Sequence, residues 1–267
     1  MSARKRLKKK RKDQQGFVLI FLVICAVSLF SYFLYDLNQQ VAVRDDVTMC
    51  RSDGVVSRET ILLIDATDML STSQAMVIKK KVAMELEKSK LDERFSVYVL
   101  DENISSFNKS LTVCNPGDGS DKSELIANKR RLKKDWEEKF YGKIGTKIDN
   151  IISGDTSKTS PIMEMIKYAS IDTMMDSKAQ DKRVIIISDM LHHTNKYSHY
   201  KEIELSKTFL TSGYGLQVRP FLKGVELQLF YVNRSNASNI QNRGHIMFWE
   251  KYVQSGGGTL TSVEAIY

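Results

Sequence analysis

Two aspartates directly follow short, uninterrupted apolar runs and are the first candidates for chemistry. Asp65 follows the apolar residues 61–64, and Asp189 follows residues 184–187 and one serine. An apolar run without alternation predicts a strand buried on both faces, as in a parallel sheet covered by helices. Such sheets bind their ligands at the carboxyl ends of the strands. We therefore expect Asp65 and Asp189 to lie on one rim and to form a candidate site.

The strands that must position these aspartates are visible in the pattern of apolar residues. Only nine residues separate the second predicted strand from the third. This is too short for a helical crossover, so that pair is expected to be antiparallel. The segments with the composition of strands are residues 60–65, 95–100, 110–114, 183–188, 226–232 and 259–265.

Helical periodicity occupies most of the segments between these strands. Gly142 and Gly145 are expected to break or kink the longest helix. The order β-α-β-β-α-α-β-α-β-α-β predicts one α/β domain of three layers, doubly wound, with a mostly parallel six-stranded sheet and one antiparallel edge strand. Three of the predicted helices cover residues 122–152, 200–211 and 240–254. Two further helices are predicted to begin at residue 71 or 72 and at residue 161.

A strongly basic segment opens the chain. Residues 1–13 contain eight Lys and Arg against one Asp, so they carry +7 of the formal net charge of +8. The rest of the chain carries only +1, which argues against a nucleic-acid surface on the folded domain. A polybasic tail can also bind nucleic acid or anionic lipid, but beside a membrane span it is most simply an orientation signal.

The apolar segment that follows predicts a membrane anchor. Residues 17–35 contain no charged side chain, and a bilayer core needs about 20 apolar residues in a helix. The positive charge before the span predicts a cytoplasmic N-terminus and a periplasmic or extracellular C-terminal domain. A cleaved signal peptide is the alternative, although its apolar region is shorter, about 7–15 residues. The predicted organisation is a cytoplasmic tail, a transmembrane helix, a juxtamembrane linker and an ectodomain, at residues 1–15, 16–35, 36–58 and 59–267.

Three motifs and the order of elements resemble the von Willebrand factor A (vWA) domains over about residues 58–266. Residues 65–69 are similar to the family's D-x-S-x-S motif. Residues 160–166 are similar to its T-P-L-x-x-A-L motif, and residues 188–189 match the Asp that ends its fourth strand. In that family the motifs build a metal-ion-dependent adhesion site, in which an acidic group of the partner completes the metal shell. The resemblance implies the same fold and a role in binding proteins.

The resemblance also implies a set of metal ligands. Hard cations prefer oxygen ligands such as carboxylates and hydroxyls, and Mg²⁺ or another divalent cation is the expected ion. Met69 stands where the family has a second ligating serine, and a thioether is a poor ligand for such ions. Asp68 or Ser71 could compensate; otherwise the site is degenerate and its members only cap loops and helix starts. The implied ligands are Asp65, Thr67, Ser160 and Asp189.

Cys50 and Cys114 are expected to form a disulfide, whereas Cys25 lies in the predicted span. In the strand order 3-2-1-4-5-6 that the resemblance implies, the third strand is one strand removed from the first. Its antiparallel direction returns Cys114 to the edge near which Cys50 lies. Neighbouring strands are about 4.8 Å apart, so the segment before the first strand can reach the ~5.5 Å Cα separation of a disulfide. Two unpaired thiols are the alternative.

Other chemistry is less well supported by the sequence. His192, His193 and His199 follow Asp189 and could form a transition-metal site with it, but we interpret them as exposed loop residues. A haloacid-dehalogenase-type phosphatase would need a second Asp two residues after Asp65, where this chain has Thr67. Motifs of other enzymes are absent from the sequence, so we expect no catalytic residues and no small-molecule substrate.

The function expected from the sequence is protein binding by a single-pass membrane protein. Its vWA-like ectodomain would engage a protein partner through the strand-end rim, as a subunit or adaptor of an envelope or surface assembly. One alternative is a metal-dependent phosphoesterase that uses Asp65 and Asp189. The other is a structural membrane anchor whose rim is inactive.

Overall fold

The computed structural model divides into two units, Met1–Val43 and Arg44–Tyr267. In the first unit, residues 16–32 form helix α1. Of the helices within the described residues, none is both long enough and apolar enough to cross a membrane. The predicted basic tail and the last three residues of the predicted span lie outside the described residues. The structure describes residues 16–32, 42–100, 109–122, 128–152, 157–201 and 206–267.

The second unit is built on a six-stranded sheet with the order β3-β2-β1-β4-β5-β6. Strand β3 is antiparallel to β2, and the other neighbouring pairs are parallel. This confirms the predicted fold class and the predicted antiparallel edge strand. The strands are β1 Arg58–Asp65, β2 Glu93–Leu100, β3 Lys109–Cys114, β4 Asp181–Ser188, β5 Val225–Val232 and β6 Thr259–Ile266.

Helices cover both faces of this sheet, as the apolar strands require. Along β1, Ile61 and Leu63 join the core under α5 and α8, while Leu62 and Ile64 join the core under α2 and α4. Alternate residues of a strand point to opposite faces, so one apolar run serves two cores. The helices are α2 Thr72–Glu87, α3 Lys129–Asp135, α4 Gly142–Ile152, α5 Ile162–Met174, α6 Ser206–Thr211, α7 Gly213–Gln217 and α8 Arg243–Ser255.

Two predicted helices differ from the structure. The predicted long helix contains a π-helical segment, Trp136–Tyr141, between α3 and α4. The prediction for 200–211 begins too early, because Tyr200 and Lys201 are not helical and α6 begins at Ser206. Tyr200 is held in a turn instead, where its backbone N–H donates to the Ser198 hydroxyl at 3.2 Å.

The predicted disulfide is confirmed. Cys50 and Cys114 are bonded, with their Cα atoms 4.7 Å apart. The Cys114 backbone N–H donates to the Thr48 carbonyl at 2.8 Å, so the segment before β1 runs beside the end of β3. Cys25 is the free cysteine.

Candidate functional site

The two aspartates singled out in the sequence lie at the carboxyl ends of neighbouring strands. Strands β1 and β4 pair in parallel with Ile64 opposite Ile187, so Asp65 and Asp189 reach the same rim. The Ser188 hydroxyl donates to Asp65 Oδ2 at 2.7 Å and ties the two strand ends together. The structure thus brings together the pair that the apolar runs predicted.

The two predicted hydroxyl ligands lie beside Asp65. Thr67 Oγ1 lies 2.6 Å from Asp65 Oδ1 and 3.1 Å from Ser160 Oγ. The Thr67 backbone N–H also donates to Asp65 Oδ1, at 3.0 Å. Ser160 is fixed by backbone hydrogen bonds with His193 in both directions, at 2.8 and 3.0 Å. Asp65, Thr67 and Ser160 therefore form one buried hydrogen-bonded group.

Asp189 has a different partner, Arg234, which the sequence analysis missed. The Arg234 Nε–H donates to Asp189 Oδ2 at 2.8 Å, and the Leu191 backbone N–H donates to Oδ1 at 2.9 Å. The guanidinium also donates to the backbone carbonyls of Met69 and Asp68. The position of Arg234 in the sequence could have revealed it. Arg234 comes two residues after β5, and the carboxyl end of β5 belongs to the same rim.

Burial dominates the electrostatics of the two carboxyl groups. Burial raises the pKa of Asp65, and the hydrogen bonds from Thr67 and Ser188 oppose that rise. Burial and the nearby Asp65 carboxyl raise the pKa of Asp189 to about 7, while the Arg234 guanidinium lowers it. Two acidic groups and one fixed positive charge thus share the base of the rim.

Hydrogen bonds within the chain compete with a divalent cation for the carboxylate oxygens at this rim. All four carboxylate oxygens of Asp65 and Asp189 already accept hydrogen bonds from this chain. Ser71, one suggested replacement ligand, is the N-cap of α2, and its hydroxyl accepts from the Gln74 backbone N–H. Within the described ranges, no group of three or more His, Cys, Asp or Glu could hold a metal ion.

The histidines near the rim form a buried network, so the interpretation of exposed loop histidines is wrong for His192 and His199. His245 Nε2 lies 3.0 Å from His199 Nδ1 and accepts from the Trp249 indole N–H at 3.1 Å. Its Nδ1 lies 2.6 Å from the Tyr231 hydroxyl. Burial lowers the pKa of His192 to about 3 and that of His245 to about 4. These lowered pKa values favour the neutral form of both side chains at pH 7.

A groove of about 790 Å³ lies at the same rim and is lined in part by Asp68, Met69 and Arg234. None of the four implied metal ligands is among the residues that line it. Three large side chains at the groove are exposed: Met69 by 69%, Tyr200 by 52% and Tyr267 by 82%. The lining residues are Asp68, Met69, Ser71, Gln74, Tyr200, Asn233, Arg234, Ser235, Asn236, Ser238, Gln241 and Tyr267.

No protein-family model and no curated protein matches the chain. Among solved structures, an aerotolerance-related membrane protein from Bacteroides fragilis NCTC 9343 with multiple mutations to serines has 9% identity and a TM-score of 0.40, covering 79% of this chain and 92% of its own. The conserved hypothetical protein BatB from Bacteroides thetaiotaomicron has 11% identity and a TM-score of 0.40, with 78% and 90% covered. The human COPII-coat protein Sec24c has 9% identity and a TM-score of 0.35, with 84% and 31% covered. Likenesses of this size say nothing of what this chain binds.

Proposed function

We propose that the unit Arg44–Tyr267 binds a protein partner through the groove at the carboxyl ends of its strands. The observation that carries this proposal is the exposure of Met69, Tyr200 and Tyr267 in the groove that Arg234 also lines. Interface cores are enriched in aromatic residues, Met and Arg, and a few such residues supply most of the binding energy. The motif resemblance to vWA domains supports the same function.

The buried group of Asp65, Thr67 and Ser160 favours binding over catalysis. A nucleophilic or basic aspartate needs a carboxylate oxygen that faces the substrate. Both oxygens of Asp65 instead accept hydrogen bonds from Thr67 and Ser188, and Asp65 does not line the groove. The proposal therefore assigns no reaction to this rim.

The proposal places the binding domain outside the cell membrane, in the periplasm or at the exterior. Residues 16–35 would anchor the chain and the basic tail would remain cytoplasmic. The Cys50–Cys114 disulfide supports this placement, because disulfides persist mainly in oxidising compartments. In that setting the protein would serve as a subunit or adaptor of an envelope or surface assembly.

Site-specific photo-crosslinking in intact membranes tests the partner-binding surface. A photo-reactive phenylalanine analogue replaces Tyr200 in the full chain, and the matched control carries it at Phe221, which is 41% exposed beside the amino end of β5. We expect a crosslinked protein at Tyr200 that is absent at Phe221 and is lost when Met69→Asp is added. Equal crosslinking at both positions, or none at Tyr200, would contradict the proposal.

A further inference from the structure

Arg234 contacts Asp189, one of the four residues that the vWA resemblance implies as metal ligands. It contacts the end of β4 through Asp189 Oδ2, at 2.8 Å. It also contacts the loop after β1 through the carbonyls of Asp68 and Met69. A cation that binds a strand-end carboxylate and neighbouring loop oxygens is what a metal ion would supply there, but here the cation is covalently part of the chain.

The chain holds this guanidinium firmly in place. Gln241 accepts the Arg234 backbone N–H at 2.6 Å through its Oε1. Its amide nitrogen donates to the carbonyls of Asp189 and Val232, both at 2.9 Å. The Arg234 side chain is only 16% exposed. Arg234 is therefore positioned by three parts of the chain: the end of β5, the loop before α8 that contains Gln241, and the buried carboxylate of Asp189.

The charges beside Asp189 also favour the guanidinium over a divalent ion. A guanidinium beside Asp189 supplies one positive charge without the dehydration that Mg²⁺ resists. A divalent ion placed beside Asp189 would meet this guanidinium as a like charge at close range. Met69, which replaces the expected ligating serine, offers only its backbone carbonyl, and Arg234 already uses it.

We propose that Arg234 is a built-in replacement for the metal ion, so that this rim is assembled without any divalent cation and without any partner. In this chain Asp65, Thr67 and Ser160 then act as a supporting hydrogen-bonded group. Removal of the guanidinium should then expose a vestigial cation site.

Cation titrations of the purified full chain test this proposal. The thermal midpoint is measured with and without millimolar Mn²⁺, and Mn²⁺ binding is followed separately by electron paramagnetic resonance. The variants are Arg234→Gln, Arg234→Lys, which keeps the charge, and the double variant Arg234→Gln with Asp189→Asn. Arg243→Gln is the matched control, because it removes an exposed arginine at the start of α8.

We expect no Mn²⁺ effect on the wild-type chain, on Arg234→Lys or on Arg243→Gln. Arg234→Gln should bind Mn²⁺ and gain about 2–4 °C in midpoint, and the double variant should lose that gain. A folded Arg234→Gln chain that binds no Mn²⁺ would overturn the proposal. A wild-type chain that responds to Mn²⁺, with a response that Asp65→Asn removes, would also overturn it. This wild-type measurement does not require Arg234→Gln to fold.

Discussion

Asp189 and Arg234 form a largely buried ion pair at the rim. Asp189 is almost fully buried, and its guanidinium partner is mostly buried as well. Breaking such a pair by removing one member leaves an uncompensated group in a site of low dielectric constant, which costs more than the pair itself contributes. The stability of the rim should therefore respond sharply to the loss of Arg234.

Arg234→Met should lower the free energy of unfolding by about 3 kcal/mol, because it leaves Asp189 without its cation. Urea unfolding of the full chain in detergent, followed by tryptophan fluorescence, measures the change. Arg243→Met is the control and should stay within about 0.5 kcal/mol of wild type. Equal losses in the two variants would show that Arg234 acts only as a surface charge.

His245 should make stability fall as the solution becomes acidic. Burial lowers its folded-state pKa to about 4, whereas an unfolded histidine titrates near 6.5. The unfolded state therefore binds more protons between these values, and stability is lost as pH falls from about 6.5 to about 4, by about 3 kcal/mol for this side chain. His245→Gln should remove that part of the slope in urea unfolding at stepped pH. An unchanged slope would mean that His245 takes up its proton without unfolding.

Among the elements, those with strong apolar patterns were predictable from the sequence, and features set by irregular turns or by distant contacts were not. The apolar runs before Asp65 and Asp189 predicted strands buried on both faces, since each run feeds both cores. The early start predicted for the helix at 200 failed, because Tyr200 instead lies in a local turn in which its backbone N–H donates to the Ser198 hydroxyl. Arg234 was missed for a different reason: its partners Asp189 and Met69 are distant in sequence, and no local pattern marks them.

The π-helical segment depends on glycine at its end. The Gly142 backbone N–H donates to the Glu137 carbonyl, five residues earlier. A Cβ at Gly142 would lie 2.9 Å from that carbonyl oxygen, whereas a Cβ at Gly145 would have no atom within 4 Å. The two glycines are one helical turn apart and differ in the space available for a Cβ, so Gly145 is a matched control for Gly142.

Gly142→Ala should destabilise the chain by about 1–3 kcal/mol, because the helix must shift to relieve the contact. Gly145→Ala should instead stabilise it by about 0.5–1 kcal/mol, since alanine has the higher helix propensity. The urea midpoints of the two variants, each compared with that of the wild-type chain, measure these opposite changes in stability. Stabilisation by both substitutions would mean that the π segment converts to α-helix at no cost.

On the scale of the whole molecule, the two ends of the sheet have different roles. The amino end is closed by buried ion pairs, Arg94–Glu59 at 2.6 Å and Arg183–Glu93 at 2.9 Å. The Cys50–Cys114 disulfide lies at this same end, beside the antiparallel edge strand. The carboxyl end carries the groove and its exposed aromatic side chains. Stability and recognition are thus separated along the strands.

The disulfide should contribute substantially to stability. The bonded cysteines are 64 residues apart, and closing a loop of that length is worth about 4 kcal/mol in the chain-entropy model. The double variant Cys50→Ala with Cys114→Ala should lose about that amount in urea unfolding. The denatured, unreduced wild-type chain should show one reactive thiol, from Cys25. Three reactive thiols would rule out the bond.

The central claim, that this rim binds a protein, is tested most directly by affinity measurements on the partner captured at Tyr200. Tyr200→Ala should weaken binding of the full chain by about tenfold or more, because truncating an aromatic anchor costs at least ~1.4 kcal/mol. Phe221→Ala, at the opposite end of the sheet, should leave the dissociation constant unchanged. Equal affinities for wild type and Tyr200→Ala, or a loss confined to Phe221→Ala, would contradict the claim.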